Sequence, residues 1–178
     1  MEYVNLTRDT DAIKIPEGAR MTLPAGTEVL ISQSLGGSFT VQSRSHGGLF
    51  RIAGRDADAL GLEVPEGALV ETPPGADLEA SVDAALRTCY DPEIPINIVD
   101  LGLIYDTRIS SVEGGSHRVD VKMTLTAQGC GMGAAIAADA EDKIRSIEGV
   151  SDALVEVVWD PPWNPRMISE AGREKLGI

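Results

Sequence analysis

The stretch VDVKMTLTAQGCGMG, residues 119–133, joins a strand pattern to a helix pattern through a glycine-rich turn. Its apolar residues from Val119 to Leu125 recur at every second position, which is typical of a strand that buries one face. Three glycines then surround Cys130 within five residues, and a helical pattern starts near Met132. The stretch therefore predicts a strand-to-helix junction. Its connecting loop has few side chains that could shield the thiol of Cys130 from solvent.

The segments around this junction predict a domain over residues 77–178. Asp77 can cap a first helix, and a second helix spans about Met132 to Ile147, with apolar residues at helical spacing. The predicted strands are Leu103–Ile109, Val119–Leu125 and Ala153–Trp159. The order α-β-β-α-β predicts an α+β domain with two helices on one face of a three-stranded sheet.

Residues 1–72 have a different pattern, in which short runs of β-type residues are separated by Pro-Gly and Gly-Gly turns. Ile15–Ala19 and Val64–Ala68 are near copies, and each can form a tight reversal. The predicted strands are Met21–Leu23, Glu28–Ser32, Ser38–Gln42, Leu49–Ile52 and Leu69–Glu71. We expect a small β-rich barrel or sandwich, joined to the second domain through Pro73-Pro74-Gly75.

Composition excludes several classes of protein. The chain has 178 residues, with 15 Lys+Arg against 28 Asp+Glu, and a formal charge of -13. Such a chain is poorly suited to neutralise nucleic-acid phosphates, so we expect no nucleic-acid partner. No apolar run approaches the roughly 18 residues of a membrane span, and the start lacks a signal-peptide pattern. The two cysteines do not make a disulfide framework, which indicates a reducing cytoplasm.

The two cysteines are predicted to differ in role. Cys130 lies at or just before the first turn of a helix, where unpaired N–H groups favour the thiolate, the form that attacks electrophiles or binds soft metals. The alternative is a buried structural cysteine, since free cysteines are often buried. Cys89 lies on the apolar stripe of the first helix, and we expect it to pack in the core.

A second segment, Asp91–Gly102, has three carboxylates within ten residues and two prolines that stiffen it. We interpret Asp91 and Glu93 as part of a rigid acidic rim whose oxygens could assist a thiolate in binding a metal. The alternative is a solvated loop in which an Asp caps a turn.

A third segment contains both tryptophans of the chain among three prolines, over residues 159–165. We expect Trp159 to plug the end of the sheet. Trp163 directly follows Pro-Pro and is predicted to form an exposed aromatic surface that anchors a partner.

These motifs resemble the signature of the metal–sulfur cluster biosynthetic, or SufT-like, family. The similarity runs through residues 91–105, continues at Met123–Thr126 before the cysteine, and returns at Trp159–Trp163. The whole chain looks like the longer form of the family, with an added N-terminal β-rich segment. The resemblance implies an auxiliary role in maturing iron–sulfur clusters or delivering them to client proteins, and often a homodimer.

The resemblance also implies roles for individual residues. Cys130 matches the reactive cysteine of the family, and Asp91, Glu93 and Asp100 lie in its acidic signature. One position departs from the pattern, because many relatives have a proline where this chain has Gly131. The loop is therefore expected to be less rigid than in those relatives.

Three hypotheses follow. The first is a non-enzymatic assembly factor, in which Cys130, with Asp91 or Glu93, binds iron or a transient iron–sulfur cluster, while Asp100, Trp159 and Trp163 contact carrier, scaffold or client proteins. The second is an adaptor without a metal, which recruits partners through its acidic and Trp/Pro surfaces. The third is a cysteine enzyme, which lacks an evident base because His46 and His117 are the only histidines.

Overall fold

The computed structural model describes residues 3–35, 37–65, 68, 77–91, 94–129 and 131–178. The protein is α+β, with antiparallel and mixed sheets and three α-helices among these residues. It divides into two compact units, residues 1–69 and residues 70–178. Among the described residues, no helix has the length and apolar character needed to cross a bilayer.

The first unit is a six-stranded antiparallel sheet with strand order β1-β4-β5-β6-β2-β3. A 3-10 helix, Gly54–Leu60, follows the last strand. The strands are β1 Tyr3–Asn5, β2 Thr10–Ile15, β3 Ala19–Leu23, β4 Glu28–Leu35, β5 Ser38–Ser43 and β6 Gly48–Ala53. The described strands thus pair in one sheet, whereas a sandwich would need two sheets facing each other.

Alternating apolar residues of these strands build the core of the first unit. Val29, Val41, Phe50 and Ile52 are all fully buried. The sequence patterns do not predict strands β1 and β2. Strand β1 is too short to show an alternating pattern, with three residues, and β2 breaks the pattern because it buries the polar Thr10. The predicted strand Leu69–Glu71 and the Pro73-Pro74-Gly75 linker lie outside the described residues.

The second unit is a three-stranded sheet with helices packed on one face. Its strands are β7 Ile104–Ser111, β8 His117–Met123 and β9 Val150–Val157, and its helices are α1 Leu78–Leu86, α2 Gly133–Arg145 and α3 Glu170–Leu176. The sheet order is β7-β8-β9, with β8 antiparallel to β7 and parallel to β9. A 3-10 helix, Pro165–Met167, precedes α3.

The local signals in the sequence explain how these elements form. Asp77 Oδ1 accepts a hydrogen bond from the Ala80 N–H, as an N-cap should. On β8 the apolar residues at alternate positions face the helices and are buried, which sets the register of the sheet. The result is a single core that contains α1, α2 and the inner face of the sheet.

Candidate functional site

The loop between β8 and α2 contains the candidate cysteine. Strand β8 ends at Met123, and α2 begins at Gly133 with Met132 as its N-cap residue. Cys130 itself lies outside the described residues, and in the sequence it precedes the N-cap residue by two positions. Gln128, Gly129 and Gly131 beside it are exposed to solvent. The side-chain neighbours and exposure of the thiol therefore remain predictions.

The two ends of this loop are packed together. A Cβ added at Gly133 would collide with Leu125 Cδ1, so the glycine permits the start of α2 to lie against the end of the strand segment. Thr124, next to Leu125, donates its backbone N–H to the Leu103 carbonyl at 2.8 Å. The Thr124 hydroxyl is fully buried and has no partner among the described residues. The loop thus leaves and rejoins the core at one place.

Asp91 is buried, with 3% of its surface exposed, rather than lying on an open rim. Its Oδ1 accepts a hydrogen bond from the Ile94 N–H at 3.0 Å, and its own N–H donates to the Ile96 carbonyl at 3.4 Å. The alternative is therefore wrong in expecting a solvated Asp91, and it is confirmed in expecting an Asp that caps a turn, because the carboxylate accepts from an N–H three residues later. Glu93 lies outside the described residues.

Asp100 is a buried centre of hydrogen bonding, although we predicted it at an interaction surface. Its carboxylate accepts hydrogen bonds from Asn97 Nδ2 at 2.8 Å, Arg87 Nη1 at 2.9 Å, Ser169 Oγ at 3.1 Å and Lys175 Nζ at 3.3 Å. Its side chain is 6% exposed, so it has little surface to offer a partner. The group ties α1 and α3 to the acidic segment.

The electrostatics of Asp100 follow from this environment. Desolvation by burial raises the pKa of its carboxyl group. The hydrogen bonds just described lower the pKa by more, so the pKa lies below its ordinary value. The Asp100 carboxylate is accordingly stabilised in its charged form, as a structural anion and not as a proton donor.

The predicted environments of the two tryptophans are reversed in the structure, where Trp163 packs against the core and Trp159 is exposed. Trp163 is half-buried against the core, and its Nε1–H donates to the Leu101 carbonyl at 2.7 Å. Trp159 is 39% exposed, because β9 ends at Val157 and Trp159 lies beyond the sheet. The neighbouring Asp160 and Pro161 are exposed as well. Trp159 therefore presents the aromatic surface that we expected at Trp163.

The C-terminal segment around Met167 makes a close backbone contact with Gly102, which directly precedes the residues leading into β7. Gly102 has a φ of +73°, and a Cβ added to it would collide with the Met167 carbonyl oxygen. Tyr105 donates its hydroxyl proton to the Pro161 carbonyl at 2.6 Å. A glycine is thus required at position 102 on two grounds, the positive φ and the close approach.

Cys89 packs in the core as predicted. It is completely buried, and its Sγ lies 3.7 Å from the Ala85 carbonyl oxygen. Lys143, also buried, donates to the neighbouring Thr88 carbonyl at 2.8 Å and pairs with Asp139 at 3.1 Å. Local sequence patterns do not predict this link between α1 and α2, because Thr88 and Lys143 are 55 residues apart.

The described residues contain no group of three or more His, Cys, Asp or Glu side chains that could hold a metal ion. That set does not include Cys130 or Glu93. The distances among the predicted ligands Cys130, Asp91 and Glu93 are therefore not defined, and a metal site formed by these residues stays a prediction.

Comparisons with known proteins define the class. The sequence model described as "Iron-sulfur cluster assembly protein" matches residues 79–157, which include the acidic segment, the cysteine loop and β9. Together with the relatives below, this match shows that the chain belongs to the SufT-like iron–sulfur cluster assembly family.

The chain is 40% identical over 100 residues to the "Fe-S protein maturation auxiliary factor" of Porphyromonas gingivalis, covering 56% of this chain and 91% of the relative. It is 39% identical over 88 residues to the "Fe-S protein maturation auxiliary factor SufT" of Staphylococcus aureus, covering 49% of this chain and 96% of that one. A crystal structure of a "Domain of Unknown Function DUF59" from Bacillus anthracis is 35% identical, with a TM-score of 0.49, and covers 57% of this chain and 92% of that one. The two relatives bear the names of auxiliary factors.

Proposed function

We propose that this protein is a non-enzymatic auxiliary factor that helps to mature iron–sulfur proteins, by taking up iron or a transient cluster as cargo and passing it to client proteins. The observation that carries the proposal is the family match over residues 79–157, which contain the acidic segment Asp91–Gly102 and Cys130. The names of the relatives, which call them Fe-S protein maturation auxiliary factors, support the same role. We propose iron–sulfur carriers, scaffolds or client proteins as the partners.

Cys130 is the thiol that we assign to the cargo. The chain has two cysteines, and Cys89 is sealed in the core. The residues flanking Cys130 are exposed and include glycines without side chains, which supports access to the thiol from solvent. A thiolate is a preferred ligand for iron–sulfur clusters.

One thiolate does not complete a cluster, which usually has four protein ligands. The remaining ligands would come from a second copy in a homodimer, from the partner protein, or from a small thiol. We assign Asp91 and Glu93 as oxygen donors beside the thiolate, with Asp91 sharing its carboxylate with the Ile94 N–H. Such incomplete ligation favours release, which suits a protein that hands its cargo on.

The test is anaerobic reconstitution with iron and sulfide, followed by visible absorbance and iron analysis. We expect absorbance from the wild-type protein, loss of it in Cys130→Ser, and retention in Cys89→Ala, the matched control at the other cysteine. A wild-type protein that takes up no iron, or a Cys130→Ser variant that takes up as much as the wild type, would contradict the cargo role.

A second candidate function is that of an adaptor without metal. The exposed Trp159, together with the exposed Asp160, Pro161 and Pro162, favours it, because rigid exposed aromatic residues are typical interface anchors. For an adaptor, Trp159→Ala abolishes capture of a purified iron–sulfur carrier, while Cys130→Ser leaves capture unchanged. The assembly factor instead requires Cys130 for transfer to the client.

A further inference from the structure

Strand β9 is an edge of the three-stranded sheet, since its only partner among the described strands is β8. The backbone groups of alternate residues in a strand point to opposite sides, so every second residue of an edge strand directs its N–H and C=O away from the sheet. Such a row of groups is a template onto which another strand can pair. In β9 this outward row includes Ala153 and Val155.

Side chains already occupy this outward row. Glu141 Oε1 accepts a hydrogen bond from the Val155 N–H at 3.0 Å, and Arg145 Nη2 donates to the Ala153 carbonyl at 2.8 Å. The Ala153 N–H donates to Oδ1 of Asp152 at 2.9 Å. Three successive outward groups of β9 are therefore satisfied by side chains and not by another strand.

The three side chains also support one another. Glu141 and Arg145 lie one turn apart on α2, with Oε2 and Nη1 separated by 3.6 Å. Arg145 Nη2 is 3.4 Å from Asp152 Oδ1. The Glu141 side chain is only 14% exposed, so its bond to the strand is largely shielded from water. We call Glu141, Arg145 and Asp152 the edge cap.

We propose that the edge cap prevents β9 from pairing with β9 of a second copy of this chain. A strand that added at Ala153–Val155 would need the N–H and C=O groups that the cap now holds. Removing the cap would leave these groups unpaired beside Leu154, an apolar residue that is 45% exposed on the same strand. A long exposed edge with an apolar residue is an aggregation site. A homodimer of the native chain would accordingly form through another surface.

The experiment compares the wild type with Glu141→Ala/Arg145→Ala, the cap variant, which frees the Val155 N–H and the Ala153 carbonyl. Both proteins are examined by sedimentation velocity over a range of concentrations. The matched control is Lys14→Ala/Glu17→Ala, which removes one charge of each sign and a 3.4 Å ion pair in the first unit. We expect the cap variant to self-associate at about tenfold lower concentration than the wild type and the control, because it regains an edge for pairing. Adding Leu154→Lys to the cap variant should reverse the association.

A second measurement addresses the hydrogen bonds directly and does not need self-association. Amide hydrogen exchange at Val155 should accelerate about fivefold to tenfold in Glu141→Ala, the effect of losing one partly shielded hydrogen bond. Glu141→Gln, which keeps an acceptor oxygen, should retain the protection. The Leu154 amide serves as the internal reference for general unfolding.

Equal Val155 exchange in Glu141→Ala and the wild type, or a cap variant that sediments like the wild type, would overturn the proposal. Because reconstitution and client transfer are not read out here, neither result depends on the proposed cargo role.

Discussion

Ser169 is bonded to Asp100 twice: its backbone N–H donates to the Asp100 carbonyl oxygen at 2.8 Å, and its hydroxyl donates to the Asp100 carboxylate at 3.1 Å. Ser169 is also the N-cap of α3, where its Oγ accepts from the Gly172 N–H at 3.0 Å. One residue thus starts the terminal helix and joins it to the acidic motif. Asp100 consequently helps to hold the terminal helix in place within the domain.

Asp100→Asn should destabilise the second unit. The variant removes the charge that pairs with Arg87 and Lys175 while keeping the shape of the side chain. We expect a loss of about 1–3 kcal/mol in the free energy of unfolding, because the group is buried and charge-assisted hydrogen bonds are lost. Urea unfolding followed by tryptophan fluorescence measures it. Asp106→Asn, at an exposed ion pair with Arg108, is the control and should change little.

Stability should depend on pH through the same residue. The pKa of Asp100 is lowered in the folded protein, so its ionised form contributes stability that is complete above the ordinary carboxyl value of 3.8. This contribution is lost as the pH falls from that value through the lowered pKa. The gap in unfolding free energy between the wild type and Asp100→Asn should be constant near neutrality and shrink in acid. If the difference in unfolding free energy between the wild type and Asp100→Asn stayed constant down to the pH of acid unfolding, the lowered pKa of Asp100 would be refuted.

Gly102→Ala should be more damaging than an alanine at a glycine with a similar backbone but free space. Gly102 combines a φ of +73° with the collision at the Met167 carbonyl, whereas Gly149 has a φ of +89° and nothing within 4 Å of an added Cβ. We expect about 1 kcal/mol for Gly149→Ala from the conformation alone, and at least twice that for Gly102→Ala. Thermal or urea unfolding of both variants measures the two losses in stability. A Gly102→Ala variant no less stable than Gly149→Ala would show that the close backbone contact is unimportant.

The two tryptophans should be distinguishable by fluorescence quenching. In Trp163→Phe the remaining fluorophore is Trp159, which is 39% exposed and should be quenched readily by acrylamide. In Trp159→Phe the remaining Trp163 is packed against the core and bonded to Leu101, and it should be quenched more slowly. Trp163→Phe should also cost about 1 kcal/mol through the lost hydrogen bond. Faster quenching of Trp163 than of Trp159 would mean that the assigned environments are wrong.

The sequence predicted best what depends on neighbours along the chain. The alternation of β8, the Asp77 cap and the burial of Cys89 all follow from local spacing, and the structure has each of them. The environment of Trp163 could not be predicted in this way, because it is decided by a carbonyl group 62 residues away. Asp100 is similar, since Lys175, which neutralises part of its charge, lies 75 residues later.

In the candidate site, too, local features could be predicted and contacts between separate residues could not. The glycine-rich loop and its single cysteine are evident from the sequence, and they lie within the residues that the family model matches. The burial of Asp91 was not evident, because a run of carboxylates and prolines has the composition of a solvated loop. The backbone of the segment turns back so that Asp91 and Ile96 bond to each other, a contact that composition does not encode.

Counting the reactive thiols of the native protein is the sharpest test of whether Cys130 is the accessible thiol that contacts the cargo. Of the two cysteines, Cys89 is completely buried, so a membrane-impermeant maleimide should modify one thiol per folded chain and two in denaturant. Native Cys130→Ser should then react with none, and modified wild type should take up no iron on reconstitution. A native wild-type protein whose thiols do not react, or one that takes up iron equally well after modification, would show that Cys130 does not hold the cargo.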